Sequence, residues 1–242
     1  MNTVGEKLKI LVVDDSDLIL HALKNFFKEY QLEVATCHDG LEGIQKVMEI
    51  KPTLIILDLM MPNLDGVKML NVIKLMNDVK EIPVLVISGN TNKRNVLAAI
   101  EAGADKVLSK PLKKELLKKS ISEILGPEFL KRAKKPTSTV DPDKADQEFM
   151  NELRKYFLNS FNSKVELMKD VLVKEDISNL RFVFHELKGS GSSIGVPELT
   201  QIGYEVEQKI DSRFKDWKYY KERWDEVLTI VDGLKDKQVT TE

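Results

Sequence analysis

The sequence of 242 residues predicts an α/β domain followed by an all-α domain. Residues 8–125 alternate short β-branched runs with amphipathic segments, which is typical of a doubly wound parallel sheet covered by helices. From about residue 145 to residue 237 no strand pattern remains, and apolar residues recur at helical spacing, which predicts a four-helix bundle. Three of the eight prolines fall between them. We therefore expect an α/β domain over 1–125, a linker over 126–143 and a helical bundle over 144–242.

Five short runs in the first domain are predicted strands. The central runs are apolar throughout, as expected of parallel strands that are buried on both faces. The segments between them carry apolar residues at three- and four-residue spacing, so each predicts a helical crossover between neighbouring strands. The runs are LKILVV, EVATC, PTLIIL, IPVLVI and DKVLS.

The second part of the chain predicts four helices. The first has an apolar stripe from Phe149 to Leu172, with an interruption expected at 159–163. The second begins after Asp176, the third carries Pro197 in its first turn, and the fourth runs from Trp217 to Leu234. Short connections make consecutive helices antiparallel neighbours. Within the linker, we expect one helical turn at 128–134.

Composition excludes several classes of protein. The chain is 42% hydrophobic and 31% charged, which fits a soluble globular protein. No run approaches the roughly 18 apolar residues of a membrane span, and the start MNTVGEKLK lacks an apolar signal core. We therefore expect a cytoplasmic protein without membrane insertion. One cysteine excludes a disulfide framework. The net charge of −2, with no helix-turn-helix pattern after the first domain, disfavours nucleic acid as a partner.

Polar residues stand where the predicted strands end. They are Asp14 and Asp15 after the first strand, Asp58 after the third, Ser88 after the fourth and Lys110 after the fifth. The carboxyl ends of parallel strands share one edge, so these residues are expected to meet. Three carboxylates repel one another unless a cation such as Mg²⁺ neutralises them. With a lysine and a hydroxyl beside them, the set suits a phosphoryl group, and one carboxylate can be the nucleophile.

The competing interpretation is that the aspartate pair only caps a helix, a role that Ser16 or Asp17 can also take. Against it stand four motifs in order, VVDDSD, LDLMMPNLDG, ISGN and LSKPL, which resemble the response-regulator receiver domain of bacterial two-component signalling. The resemblance covers residues 8–125 and implies a flavodoxin-like sheet of order 2-1-3-4-5. It also implies these roles: Asp58 as phosphoacceptor, Asp14 and Asp15 as Mg²⁺ ligands with the Met60 carbonyl, Ser88 as switch hydroxyl, and Lys110 as phosphate partner before a cis Pro111.

One position departs from that family. Receivers commonly carry an aromatic residue on the fifth strand that rotates with the switch hydroxyl, and this sequence has Val107 there. Phosphorylation chemistry is expected to survive the change. The usual aromatic rotation is not available to this chain.

A histidine in the second predicted bundle helix is the other candidate site. Leu180, Phe184 and Leu187 mark the core face, which places His185 about 100° away on the flank. Lys188 lies one turn further, where its charge can hold a phosphate, and neutral imidazole is a competent nucleophile near pH 7. Gly189 clears space beside the ring, although glycine inside a helix costs about 0.5–1 kcal/mol. An isolated helical histidine is more often an ordinary surface residue.

The run HELKGSGSSIG resembles the signature of histidine-containing phosphotransfer (HPt) domains, which are four-helix bundles that carry phosphate between receivers. The resemblance covers about residues 145–237. It implies His185 as phosphohistidine, Lys188 as the phosphate-stabilising charge and Gly189 as room for a docking receiver. His21 and His38 have no such support and are expected to be surface residues, and Cys37 is expected to be a buried strand residue.

The combination predicts a phosphorelay protein. No phosphate-binding loop or kinase ATP-binding segment is recognisable, so we expect phosphate to come from a sensor histidine kinase and to be exchanged with a receiver, in another protein or in this chain. Whether such a carrier counts as an enzyme is left open. Two alternatives remain: a binding module in which the receiver gates His185 without transfer from Asp58, and a phosphate sink.

Overall fold

The computed structural model describes residues 8–61, 64–89, 93–134 and 142–239, with side chains omitted for 142–145 and 237–239. The motif residues Pro62, Asn63 and Asn90 and the linker residues 135–141 lie outside this part. The chain divides into two compact units, Met1–Phe149 and Met150–Glu242. Each is described by itself. The linker over 126–143 stays a prediction.

The first unit is built on a five-stranded parallel sheet of order β2-β1-β3-β4-β5, as predicted. Every residue of β3 and β4 is buried, which explains why these runs are apolar throughout. Asp58 pairs in register with Ile87, and Ser88 with Ser109, so the carboxyl ends of β3, β4 and β5 lie level at one edge. The strands are β1 (Lys9–Val13), β2 (Glu33–Cys37), β3 (Leu54–Asp58), β4 (Val84–Ser88) and β5 (Lys106–Ser109).

Helices connect the strands and continue after the last of them. Ser16 is the N-cap residue of α1 but makes no capping hydrogen bond with its side chain. Asp39 and Asp65 cap the next two helices, each accepting hydrogen bonds from backbone N–H groups of the first turn. The helices are α1 (Asp17–Phe27), α2 (Gly40–Ile50), α3 (Gly66–Leu75), α4 (Lys93–Glu101), α5 (Lys114–Leu125) and α6 (Glu128–Ala133).

The short helix α6 lies where one helical turn was predicted in the linker. It belongs to the first unit because the backbone N–H of Gln31 donates to the Ala133 carbonyl at 2.6 Å, and Tyr30 forms an antiparallel bridge with Lys134. Leu130 and Ala133 are both buried. The chain after α5 is therefore tied to the loop that follows α1.

The described part of the second unit is formed by four long helices. They are α7 (Pro142–Lys174), which begins in the first unit, α8 (Ile177–Gly191), α9 (Pro197–Asp211) and α10 (Trp217–Val239), with a 3-10 turn over Ser192–Ile194. Asp176 caps α8 and Pro197 opens α9, as predicted. The core includes Phe157, Phe161, Phe184, Trp224 and Val227. None of the described helices is both long and apolar enough to cross a bilayer.

The interruption expected in the first bundle helix is wrong, since α7 is continuous through 159–163. The hydroxyls of Ser160 and Ser163 donate to the carbonyls of Phe157 and Ser160, at 3.0 and 2.7 Å. Serine lowers helix propensity because its side chain competes for backbone groups. Here both hydroxyls bond to carbonyls of the helix itself, and Phe157 and Phe161 pack in the core.

Candidate functional site

The first candidate site is the acidic edge of the sheet. Asp14 and Asp58 are buried and Asp15 is half-buried. One carboxylate oxygen from each lies within 4.8 Å of the other two. The Asp14 carboxylate also accepts a hydrogen bond from the Ser16 N–H at 2.9 Å. Asp14 thus orients the start of α1, but helix capping does not account for three carboxylates in one place.

Lys110 reaches into the same cluster from the end of β5. Its ammonium lies 2.9 Å from Asp14 Oδ2 and 3.4 Å from Asp58 Oδ2, and the lysine is itself buried. The Lys110 backbone N–H donates to the Ser88 carbonyl at 2.9 Å, which holds this loop against the end of β4. The Lys110–Pro111 peptide bond is cis, as the family resemblance implied.

Burial and neighbouring charges at this edge shift the pKa values of Asp14 and Lys110. Burial raises the pKa of Asp14 to about 7, with Asp58 and Asp15 adding to this and Lys110 opposing it. Burial lowers the pKa of Lys110, but Asp14 and Asp58 outweigh burial and leave that pKa above its ordinary value. Asp58 Oδ1 is buried without a hydrogen-bond partner among the described residues. A hard cation fits these carboxylates, because its positive charge would stabilise the ionised form of Asp14 and it would give Asp58 Oδ1 a partner.

The structure also describes three other residues named for the first site, Ser88, Met60 and Val107. Ser88 is fully buried at the end of β4, and Met60 follows β3 with a half-exposed side chain. Val107 is half-buried and packs against the apolar core on one face of the sheet. Gly66 was missed: a Cβ there would lie 2.0 Å from the Asp58 carbonyl oxygen. The Asp-Gly pair that ends LDLMMPNLDG was its sequence signal.

The second candidate site is on α8 in the second unit. His185 lies on the flank of the helix as predicted, with 27% of its side chain exposed. Its Nδ1 contacts Oε1 of Glu207 on α9 at 2.5 Å. Lys188 forms an ion pair with the other oxygen of Glu207, and its ammonium lies 3.5 Å from His185 Nδ1. One carboxylate therefore joins the histidine and the lysine.

Glu207 was not predicted from sequence. It is 9% exposed, and although burial raises a carboxyl pKa, the hydrogen bonds of His185 and Lys188 outweigh burial and hold the pKa of Glu207 below its ordinary value. A signal existed, because Glu207 falls on the apolar stripe of α9 between Gly203 and Ile210. A charged residue on a core stripe indicates a buried partner, but not which one.

The glycines after His185 have three different roles. A Cβ at Gly189 would meet no atom within 4 Å, so this position is open beside the histidine. A Cβ at Gly191 would lie 2.6 Å from the Thr200 nitrogen, which shows that this glycine allows α8 to pack closely on α9. Gly195 has φ of +74° and ends the 3-10 turn in the left-handed conformation.

These roles predict opposite effects of two alanine substitutions. Gly189→Ala is expected to raise the free energy of unfolding of the bundle by about 0.5–1 kcal/mol, because alanine favours the helix and meets open space. Gly191→Ala is expected to lower it by about 1–3 kcal/mol, because the added methyl group overpacks the contact with Thr200. Urea unfolding monitored by tryptophan fluorescence measures both. Equal effects would contradict the division of roles.

The residues without predicted function are structural. Cys37 is buried, and burial raises the pKa of its thiol to about 12. His38 is exposed, and His21 is half-buried with Nε2 2.9 Å from Asn25 Nδ2. Trp224 packs in the core, with its ring 5.7 Å from that of Phe161. The expectations for Cys37 and His38 agree with these positions, whereas His21 is less exposed than a surface residue.

Comparisons with known proteins find two families in the chain. The family model of the response regulator receiver domain matches residues 10–122, and that of the Hpt domain matches residues 152–236. Transcriptional regulatory protein PrrA of Mycobacterium tuberculosis is 37% identical over 111 residues, which are 46% of this chain and 47% of PrrA. Protein PilG of Pseudomonas aeruginosa is 32% identical over 117 residues, 48% of this chain and 87% of PilG.

Among solved structures, chemotaxis protein CheY4 of Vibrio cholerae superposes with a TM-score of 0.47 and 27% identity, over 49% of this chain and 99% of that one. The chain spans about half the length of PrrA. The similarity to PrrA, PilG and CheY4 thus extends over about half of this chain.

Proposed function

Since this chain belongs to the response regulator receiver family and carries an Hpt domain, which together make it a phosphorelay signalling protein, we propose that Asp58 and His185 are its two phosphate acceptors. The observation that carries the proposal is the pairing of each residue with a buried or half-buried lysine. The ammonium of Lys110 lies 3.4 Å from Asp58 Oδ2, and that of Lys188 lies 3.5 Å from Nδ1 of the His185 ring. A fixed cation beside a nucleophile is what an arriving phosphoryl group requires.

At Asp58, a carboxylate oxygen attacks phosphorus and forms an O–P bond, while the bond from phosphorus to the donor nitrogen or oxygen breaks and its electron pair leaves with the donor. One Asp58 oxygen would bind the metal and the other would attack phosphorus. One of them lies beside Lys110, and the other, Oδ1, has no hydrogen-bond partner among the described residues. Lys110 offsets the negative charge of the transferring group. Ser88, buried at the end of β4, is assigned the hydroxyl that donates to a phosphoryl oxygen.

The metal in this proposal is Mg²⁺. Asp14, Asp15 and Asp58 would hold it, together with the backbone carbonyl of Met60. When bound, Mg²⁺ neutralises charge on the phosphoryl group. The high pKa of Asp14 supports the assignment, because a buried carboxylate that resists ionisation is stabilised by a divalent cation.

The raised pKa of Asp14 predicts that both the stability of the protein and its affinity for Mg²⁺ depend on pH. In metal-free protein the unfolding free energy should fall as pH rises from 5 to 7, because folded Asp14 retains a proton that the unfolded carboxyl has lost. One proton contributes at most about 1.4 kcal/mol per pH unit. Since Mg²⁺ needs the ionised carboxylate, its apparent affinity should be up to about tenfold weaker at pH 6 than at pH 8. Thermal unfolding with and without Mg²⁺ measures both.

Asp14→Asn is the control for this prediction. The variant should lose the part of the pH dependence that Asp14 contributes, and Mg²⁺ should stabilise it much less than the wild type at pH 8. A stabilisation by Mg²⁺ that is equal in Asp14→Asn and wild type would contradict the assignment of Asp14 as a ligand.

At His185 we assign the acceptor role to Nε2, because Nδ1 contacts Glu207. Lys188 is assigned to the phosphoryl oxygens, and Gly189 to the open space through which a partner reaches the ring. A bulkier side chain at position 189 is then expected to slow transfer, although alanine there stabilises the helix.

Receiver and Hpt domains imply phosphotransfer partners. We assign a sensor histidine kinase as donor to Asp58, and the aspartate of a receiver, in this chain or another, as exchange partner of His185. A cytoplasmic location belongs to the same proposal, since the phosphoryl group of a kinase derives from cytoplasmic ATP.

Mapping of the phosphate tests the proposal. The full chain is incubated with Mg²⁺ and acetyl phosphate, or with a phosphorylated kinase, and base-labile aspartyl phosphate is separated from acid-labile phosphohistidine. We expect label at Asp58 and at His185. If Asp58→Asn leaves kinase-dependent labelling of His185 unchanged, an obligatory internal relay is wrong. If His185 takes no label from any donor, the chain is a binding module or a phosphate sink controlled at Asp58.

A further inference from the structure

We propose that Asp146, near the start of α7, is a positioning residue for Lys110, because it caps α5 and so fixes the short loop that carries this lysine. The inference rests on the role proposed above for Lys110 and adds the group that holds its loop in place. The observation that carries it is a hydrogen bond of 2.6 Å, in which the backbone N–H of Lys114 donates to Asp146 Oδ1. Both residues belong to the first unit.

The start of α5 lacks a cap from its own sequence. Its N-cap residue is Lys113, whose side chain makes no capping hydrogen bond, and its first helical residue is Lys114. An ammonium group accepts no hydrogen bond, and positive charge is unfavourable at the N-terminus of a helix. Asp146 supplies both missing features, because its carboxylate accepts from a free N–H of the first turn and brings negative charge to the helix end.

The turn of α7 that carries Asp146 is packed and not free in solvent. Asp146 is half-buried, and Phe149, three residues later on the same side of the helix, is 3% exposed. Lys114 is held a second time, since its ammonium pairs with Glu29 in the turn after α1 at 2.6 Å. The start of α5 is therefore fastened through its backbone by α7 and through a side chain by Glu29.

The loop between this helix start and the acidic edge is short. Only residues 111–113 separate Lys114 from Lys110. The Lys110 N–H donates to the Ser88 carbonyl at 2.9 Å, and Leu112 in the middle of the loop is 1% exposed. A loop that is held at both ends and in its middle leaves Lys110 little room to move. Small displacements of a group that stabilises a transferring phosphoryl group cost rate.

This support for Lys110 comes from outside the receiver pattern. Asp146 lies beyond residues 10–122, which the receiver family model matches, and α7 continues into the second unit. The loop that carries the phosphate partner of Asp58 is thus completed by a residue of the helix that leads into the Hpt domain.

The first test needs no phosphoryl donor. Amide hydrogen exchange in the full chain is followed residue by residue by NMR and compared between wild type and Asp146→Ala. Loss of an N-cap favours opening of a helix start by roughly two- to thirtyfold. We expect exchange at Lys114 and at Lys110 to accelerate by such a factor, and exchange in β3 to accelerate much less. Acceleration confined to Lys114 would overturn the inference, and so would an equal acceleration in β3, which indicates a general loss of stability.

Asp146→Asn and Glu148→Ala are the matched variants. Asparagine is about as good an N-cap as aspartate, so Asp146→Asn should keep exchange at Lys110 within about threefold of wild type. Glu148 is exposed on the same helix, and Glu148→Ala should leave that exchange unchanged. An Asp146→Asn protein that exchanges like Asp146→Ala overturns the inference, as does faster exchange at Lys110 in Glu148→Ala. Circular dichroism of each variant verifies the helices.

A kinetic arm links the loop to the chemistry. Asp146→Ala should lower the maximal rate of Asp58 phosphorylation by acetyl phosphate by about three- to tenfold with little change in KM, because Lys110 acts on the transferring group, and Asp146→Asn should restore the rate. A maximal rate in Asp146→Ala equal to wild type would overturn the inference. If wild-type Asp58 takes no label, the acceptor role proposed above fails, and exchange at Lys110 still decides whether Asp146 holds the loop.

Discussion

Asp58→Asn should abolish base-labile phosphate on this chain, to at least about a hundredfold below wild type, when the protein is incubated with acetyl phosphate and Mg²⁺. The substitution keeps the size of the side chain but replaces a nucleophilic carboxylate with a neutral amide. It also removes one of the three carboxylates that lie within 4.8 Å of one another. Nucleophile and metal site are thus weakened by a single change.

Asp17→Asn is the matched control for this result. Asp17 begins α1 three residues after Asp14, and its side chain is exposed and outside the acidic cluster. Its loss should leave aspartyl phosphate within about twofold of wild type, as expected of a surface substitution. Base-labile phosphate that persists in Asp58→Asn would place the acceptor at a different carboxylate of the same edge, Asp14 or Asp15.

His185→Gln should abolish acid-labile phosphate to a similar extent, whichever donor is used, because glutamine has no ring nitrogen to form an N–P bond. Labelling of Asp58 should continue, since Lys110 and the acidic residues around Asp58 all belong to the first unit. Quantifying acid-labile and base-labile phosphate on the same samples separates the two acceptors. Loss of both signals together would contradict two independent sites.

His38→Gln is the control on the histidine side. His38 is exposed, and the acid nearest to it in a salt-bridge geometry is Asp17 at 3.8 Å. The variant should label at His185 as the wild type does. Acid-labile phosphate that remains in His185→Gln and disappears in His38→Gln would overturn the assignment.

Much of the first site was predictable because of the geometry of parallel strands. Asp14, Asp58 and Lys110 are far apart in sequence, yet each lies at the carboxyl end of a strand. Since all carboxyl ends of a parallel sheet share one edge, strand identification was sufficient to bring the residues together. No side-chain packing had to be known. The partnerless Oδ1 of Asp58 and the close approach of Gly66 depend on local geometry, and neither was predicted.

The second site was predicted less completely because it is shared between two helices. His185, Lys188 and Gly189 lie on one helix, so helical periodicity was enough to place them together. Glu207 comes from α9, and its distance to His185 depends on how closely α8 and α9 pack. That packing is permitted by Gly191 and Gly203, where a Cβ would lie 2.6 Å from atoms of the facing helix. Periodicity within one helix contains no information about such a contact.

The wrong interruption in α7 has a related cause. A polar run such as 159–163 lowers local helix propensity by small amounts, which tertiary packing readily overrides. Phe157 and Phe161 lie on either side of Ser160 and are both buried, with ring centroids 5.6 Å apart. Their burial stabilises the helix through the segment where the local pattern alone predicts a break.

The position of the tryptophans makes the two halves of this protein optically distinguishable. Both tryptophans of the chain, Trp217 and Trp224, belong to α10. The first unit has no tryptophan and a single tyrosine, Tyr30, which is buried against Phe26 and Phe27. Excitation at the red edge of tryptophan absorption therefore follows the helical bundle alone. In one unlabelled sample, the difference between that signal and far-ultraviolet circular dichroism resolves which half melts first.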